Sequence, residues 1–223
     1  MQKLIMIKSD TEGIFIKCVN KFLAIVEIEK EEKVHVHDPG RLEKILFPGN
    51  RILLRKAGNK TRKTKWDVIA ARYKNEWVFA NSSYHEKIAE SILNRRLILK
   101  AEKIKKEYRY LDSRIDFLID EKLLLEVKGC TLEENGIALF PDAPTARGRR
   151  HLAALLHAVK EGYNAAILFL VFVPADCFTP NEDIDADFAK LFYMAVDSGI
   201  KVYVIRLKYD GEWVWFEGKL PVC

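Results

Sequence analysis

Glutamine is all but missing from this chain. Gln2 is the only one, against 37 Lys and Arg and 32 Asp and Glu in 223 residues. A surface so rich in charge and so poor in thermolabile amides leans toward a heat-adapted source. No apolar run approaches the ~20 residues of a membrane-spanning helix, and the opening MQKLIMIKSD has no secretory signal pattern. Cysteine is sparse and scattered: Cys18, Cys130, Cys177 and Cys223 lie far apart and form no C-x-x-C pair. That spacing argues against a zinc site. It leads to the expectation of four reduced thiols in a cytoplasmic protein with no membrane partner. No helix-turn-helix pattern is evident, so a regulator that reads DNA sequence through a recognition helix has no support.

What is present is a globular composition, 49% hydrophobic and 31% charged, sized for one large domain or two small ones. The charge is unevenly placed. Residues 1–83 carry 17 Lys/Arg against 10 Asp/Glu, a balance of +7, and residues 84–223 carry 20 against 22, a balance of −2, which together give the net +5. A basic N-terminal part suggests a polyanionic partner. Nucleic acid comes ahead of a membrane surface, since no basic amphipathic helix is evident.

From residue 14 to about 80 the pattern is one of short strands: IFIKCV, FLAIVEI, KVHV, RILLRK, WDVIAARY and EWVFA, separated by glycine, proline and asparagine turns. One short helix fits between them at 41–46. Five or six short strands and one small helix predict a closed or nearly closed barrel of the OB type, over residues 1–83. Its most basic segment, 51–65, holds Arg51, Arg55, Lys56, Lys60, Arg62, Lys63 and Lys65 and no acid. With Trp66, Tyr73 and Trp77 available for stacking, this segment is a candidate to track a nucleic-acid backbone, the alternative being a solvated loop. His35 and His37 share a strand face, with Asp38 next. Metal ligation is open there, but an exposed pair or a hydrogen-bonded structural set is the commoner outcome.

From Tyr84 to Leu99 the period changes to that of a helix, with Ile88, Ala89, Ile92 and Leu93 on one stripe, and a second domain is expected over 84–223. A strand at 104–110 follows, then the hairpin SRIDFLIDEKLLLEVK. If its loop is three residues centred on Glu121, Asp116 lies opposite Glu126 and Arg114 opposite Lys128, all on one face. Two carboxylates held together repel unless a cation lies between them, and a lysine beside the pair completes a plausible Mg²⁺ site for phosphodiester hydrolysis. Taken alone, acid and acid-x-Lys recur by chance in so charged a chain. Position decides more. After a long loop at 129–144, a helix at 145–161, the buried strand AAILFLVFV, a helix at 185–198 and two last strands complete an α-β-β-β-α-β, α-β order. This resembles the PD-(D/E)XK nuclease superfamily, in which the metal acids come from the second and third strands. Arg147, Arg150 and His151 stand near the start of the 145–161 helix, where they oppose its dipole and suggest a bound anion.

Four segments resemble the sugar fermentation stimulation protein A (SfsA) family: HVHDPGRL (35–42), SRIDF (113–117), EVKGCTL (126–132) and FPDAPTARGRRHL (140–152). The resemblance runs over nearly the whole chain, with Asp38 standing where the family usually has Asn. It implies an OB-like N-terminal domain, a restriction-endonuclease-like C-terminal domain, DNA binding without strong sequence preference, and a link to the regulation of sugar (maltose) metabolism. The Pro141-Asp142 dipeptide spells the superfamily name but follows Glu126-x-Lys128, so the leading acid is assigned to Asp116. Asp142 is expected to be a loop anchor or an additional acid.

The expectation is therefore an α/β protein that binds DNA and carries a candidate metal-dependent nuclease site. Asp116 and Glu126 would hold Mg²⁺ or Mn²⁺, Lys128 would act on the attacking water or the phosphate, and Glu90 or Glu107 would complete the metal shell. Arg114, Arg147 and His151 would hold phosphate, with Arg41 and the 51–65 segment along the strand. The alternative is a DNA-binding module, or regulator, that breaks no bond. Single- versus double-strand preference stays open, and a homodimer is among the assemblies the sequence allows.

Overall fold

The computed structural model describes residues 1–38, 40–58 and 61–223. Lys60 of the basic segment lies outside the described residues. All six strands expected before residue 80 form. β2 (Thr11–Asn20), β3 (Leu23–Glu27), β4 (Glu31–His35), β5 (Arg51–Lys56) and β6 (Trp66–Tyr73) close into a five-stranded barrel. The last seam is parallel, Val34 with Trp66 and His35 with Asp67. Alternation is clean on β3 and β4, where Ala24, Val26 and Val34 are buried between more exposed neighbours, whereas β5 and β6 are buried without alternation from Ile52 to Leu54 and from Val68 to Ala71. Gly13 lets two walls meet, because a Cβ there would lie 2.6 Å from Val26 Cγ1.

The expected helix at 41–46 is one turn only. The Leu42 carbonyl accepts from both Ile45 and Leu46 N–H, and Leu42 itself sits at φ 51°, which stops the turn from propagating backwards. β7 (Glu76–Phe79) pairs with β6 and, at Trp77–Tyr209, with β15 (Lys201–Tyr209), so one sheet runs from the barrel into the second half of the chain.

That second half begins at α1 (His85–Asn94), preceded by a 3-10 turn that Asn81 caps through Ser83 N–H. Sequence periodicity carries this helix to 99, but it ends at Asn94. Arg96 takes a left-handed φ of 58°, and Arg96 and Leu97 N–H return to the Leu93 and Ile92 carbonyls, a Schellman stop with arginine in the usual glycine place. Next come β8 (Ile104–Tyr110), β9 (Ser113–Ile119) and β10 (Leu123–Cys130), then α2 (Ala146–Lys160), β13 (Asn164–Val171), α3 (Ala186–Asp197), β15 and β16 (Trp213–Lys219). β13 is apolar and buried from Ala165 onward because it is the central parallel strand between β10 and β15, covered on both faces.

Three further features depart from expectation. The 129–144 segment is not a plain loop: it folds into β11 (Leu132–Glu134) and β12 (Ile137–Phe140), which form a small sheet with β14 (Cys177–Pro180). The turn between β11 and β12 is Asn135-Gly136 with both φ positive, the sequence signature of a tight hairpin. The N-terminus contributes β1 (Gln2–Met6), which pairs antiparallel with β16 at the far end of the chain. The cysteines are not four reduced thiols. Cys177 and Cys223 are disulfide-bonded across 46 residues, leaving Cys18 and Cys130 free. Phe178 N–H to the Pro221 carbonyl and Cys223 N–H to the Phe178 carbonyl bring the tail onto β14, a proximity that sequence spacing hides.

Candidate metal centre

The β9–β10 turn is Asp120-Glu121-Lys122, and the ladder runs Ile119–Leu123, Leu118–Leu124, Phe117–Leu125. Continued by one residue, this register sets Asp116 across from Glu126. Ile115, Phe117, Leu125 and Val127 turn to one face of the sheet and are buried, so Asp116, Glu126 and Lys128 share the other. Asp116 Oδ2 accepts the Val127 backbone N–H at 2.7 Å.

Glu126 is 2% exposed. Its Oε1 accepts from Lys128 Nζ at 2.5 Å and from His151 Nδ1, while Oε2 is buried without a partner. The electrostatics of the two acids diverge. Burial works to raise the Glu126 carboxyl, but Lys128 and His151 outweigh it and hold it below the usual carboxylate range. Asp116 is pushed up to about 7, first by burial and then by the Glu126 charge, with Lys128, the Val127 N–H and Arg147 offsetting only part of this.

A buried, unpartnered oxygen beside an acid whose charge the fold disfavours is a site short of positive charge. It fits a small divalent cation, which takes one or two carboxylates and keeps water on its remaining positions. Among the described residues no group of three or more His, Cys, Asp or Glu side chains gathers to hold a metal, so the protein's share of such a shell would be Asp116 and Glu126.

The other expected residues separate. Glu107 lies across from Asp116 on the edge strand β8 but is ion-paired with the exposed Arg114 at 3.4 Å. Glu90 belongs to α1, where Lys106 holds it at 2.5 Å and also meets Glu86 at 3.4 Å. Lys106 pairs with Phe117, so this cluster is on the sheet face opposite Asp116. Gly129 fixes that geometry: a Cβ on it would lie 2.1 Å from the His85 ring at the start of α1.

His151, expected among the residues that hold phosphate, does not face solvent. It is 2% exposed, in line with Gly148, Leu152 and Leu155 on the buried stripe of α2, and both ring nitrogens are engaged, Nδ1 by Glu126 and Nε2 by Arg147 Nε at 3.4 Å. Arg147 is exposed and near enough to Asp116 to act on its charge, and Arg150 is also exposed. Thr145 caps α2 through the Gly148 N–H, and Arg149, which sequence reasoning passed over, is fixed to Asp185 at 2.7 Å.

Asp142 is an anchor between the two halves of the chain. Its Oδ2 accepts the Leu42 N–H at 3.3 Å, and Arg41 and Asp142 both line a ≈500 Å³ cavity. Glu133 and Glu134 extend the same seam, to Tyr73 and Lys74 and to Lys44.

The basic segment is partly neutralised by acids from elsewhere. Arg51 pairs with Glu12 and Arg62 with Asp67, at 2.8 Å for the latter. Arg55 donates to the Tyr84 hydroxyl at 3.2 Å, and Lys56 lies over the Trp66 ring. Lys63 and Lys65 are exposed. His37 also reaches Asp67, at 3.2 Å, and its ring meets that of His35 edge-on, so these histidines form a hydrogen-bonded structural set.

Two family models match the chain: the SfsA N-terminal OB domain over residues 16–80 and the sugar fermentation stimulation protein RE domain over residues 83–213. A sugar fermentation stimulation protein homolog from Thermotoga neapolitana is 46% identical over 215 residues, covering 96% of each chain. Its counterpart from Thermotoga maritima is 44% identical over 220 residues, covering 98% of each. The solved structure of Pyrococcus furiosus SfsA in complex with Ca²⁺ superposes with a TM-score of 0.93 at 27% identity, covering 100% of both chains. The chain belongs to the sugar fermentation stimulation protein (SfsA) family.

Proposed function

We propose that this protein binds DNA and that its β9–β10 hairpin is a divalent-metal centre of the nuclease type. The observation that carries the reading is the buried, unpartnered Oε2 of Glu126 facing the same side of the sheet as Asp116. The Pyrococcus furiosus relative is in complex with Ca²⁺, an oxygen-seeking cation of the class such a pair would hold. Asp116 and Glu126 would hold Mg²⁺ or Mn²⁺. The ion supplies, when bound, charge stabilisation at a phosphoryl oxygen and a more acidic water. Lys128, 12% exposed at its side chain, places an ammonium next to the acids, where it can orient a water or stabilise charge on a phosphate. Arg147 is the exposed cation beside the pair and the better candidate for a neighbouring phosphate. The OB barrel with exposed Lys63 and Lys65 would track the strand without reading its sequence.

The test is incubation of the purified protein with labelled single- and double-stranded DNA and RNA, with and without Mg²⁺ or Mn²⁺, beside Asp116→Ala. Metal-dependent products lost in the variant support the reading. Salt-sensitive binding with no products under either metal would favour the alternative, a DNA-binding regulator that leaves the backbone intact.

A further inference from the structure

We infer that His151 is a positioning residue: it locks the Glu126 carboxylate so that Oε2, and not Oε1, is the oxygen offered to a cation. This rests on the metal-centre reading above and adds a residue to it. A Glu side chain ends in a carboxylate that can rotate about its last bond and exchange its two oxygens. Here that exchange is blocked from two sides. Lys128 comes from the same strand and His151 from α2, and both donate to Oε1.

The lysine alone is a weak lock, because its ammonium is a point donor on a flexible stem and can follow either oxygen. The imidazole is a rigid one. His151 is buried on α2, and α2 is itself pinned by the Thr145 cap and the Arg149–Asp185 pair. The tautomer follows from its partners. Nδ1 has two neighbours, Glu126 Oε1 and, farther off at 3.4 Å, Lys128 Nζ; the nearer carboxylate oxygen is an acceptor, so Nδ1 carries the hydrogen, which leaves Nε2 to accept from Arg147 Nε at 3.4 Å. Arg147 thus holds the ring in the orientation that presents Nδ1–H to Glu126. Histidines and carboxylates standing behind a metal ligand set its direction in this way, and their loss weakens binding about 10- to 100-fold.

The amide of asparagine can occupy the place of Nδ1, whereas that of glutamine reaches toward Nε2. The experiment is a calorimetric Ca²⁺ titration of the full-length protein and of His151→Asn, His151→Gln and His151→Ala, each shown to be folded by its melting transition. Wild type is expected to bind, His151→Asn to bind within about threefold of it, and His151→Gln and His151→Ala to bind at least about tenfold more weakly. Folded variants that all bind like wild type would overturn the inference while leaving the metal centre intact. His151→Asn binding as weakly as His151→Ala would overturn the assignment of Nδ1 as the donor. A wild type that binds no Ca²⁺ would instead remove the metal centre, and this inference with it.

Discussion

The Val127 backbone N–H donates to Asp116 Oδ2 at 2.7 Å, one step beyond the last ladder pair of the hairpin. The strand that carries Glu126 thereby holds the other acid in place, close enough that the Glu126 charge helps push Asp116 up to about 7. An acid whose folded pKa lies above its ordinary 3.8 stabilises the fold at low pH, and that stability is lost as pH rises through about 7. Asp116→Asn keeps an acceptor for Val127 and removes the charge. In metal-free buffer at pH 8 this variant is expected to be more stable than wild type by on the order of 2 kcal/mol, with the gap closing toward pH 4. Paired melting curves in EDTA across that range measure it. Equal melting temperatures at pH 8 would mean that Asp116 is not held against its charge.

Gly129→Ala tests the opposite face of the same strand. Its Cβ would meet the His85 imidazole at 2.1 Å, and that ring stacks on Phe172, so neither neighbour yields easily. A loss of about 1–3 kcal/mol is expected, the usual cost of overpacking a filled interior. Denaturant unfolding of the variant would show it, and an unchanged midpoint would contradict this packing.

Much of this site could be read in the sequence because its geometry is local. Three turn residues fix the hairpin register, and the register fixes that Asp116 stands across from Glu126. Asp142 follows Glu126-x-Lys128 along the chain, and the structure gives it the anchoring task, on Leu42 N–H. What escaped was non-local. Glu90 and the strand pair share a domain, but α1 covers the wrong face of the sheet for Glu90 to meet Asp116. His151 looked like a surface cation beside Arg147 and Arg150. Its place on the stripe of Gly148, Leu152 and Leu155 was the signal that it is buried. Asn135-Gly136 was a hairpin signal within a stretch read as loop, whereas nothing in the first residues indicates that β1 pairs with β16, more than 200 residues away.

Reduction of the Cys177–Cys223 bond is expected to lower stability. The bond closes 46 residues, for which the loss of chain entropy in the unfolded state gives about 4 kcal/mol as a ceiling. Since the tail is also held by backbone bonds to Phe178, a smaller effect, about 2 kcal/mol, is anticipated. Melting with and without dithiothreitol measures it, and Cys223→Ser should match reduced wild type and be indifferent to the reductant. A wild type equally indifferent would show that the bond does not form in solution.

Within the basic segment the cations divide by partner. Lys63 and Lys65 are exposed, so Lys63→Ala and Lys65→Ala should weaken DNA binding and each reduce the salt slope by about 1, as for the loss of one phosphate contact. Arg62 is committed to Asp67 and Thr64. Arg62→Ala should therefore show more in thermal stability than in the salt slope. Fluorescence-anisotropy titrations at several salt concentrations separate the two, and slopes unchanged in both lysine variants would remove this segment from the DNA path.

The most direct measurement of the central claim is a crystal soaked in Mn²⁺ and examined for anomalous scattering. A peak between Asp116 and Glu126 is predicted, on the Oε2 side of Glu126, with Oε1 still on Lys128 and His151. A crystal with manganese bound elsewhere, or with none at the hairpin and Oε2 still unpartnered, would contradict it.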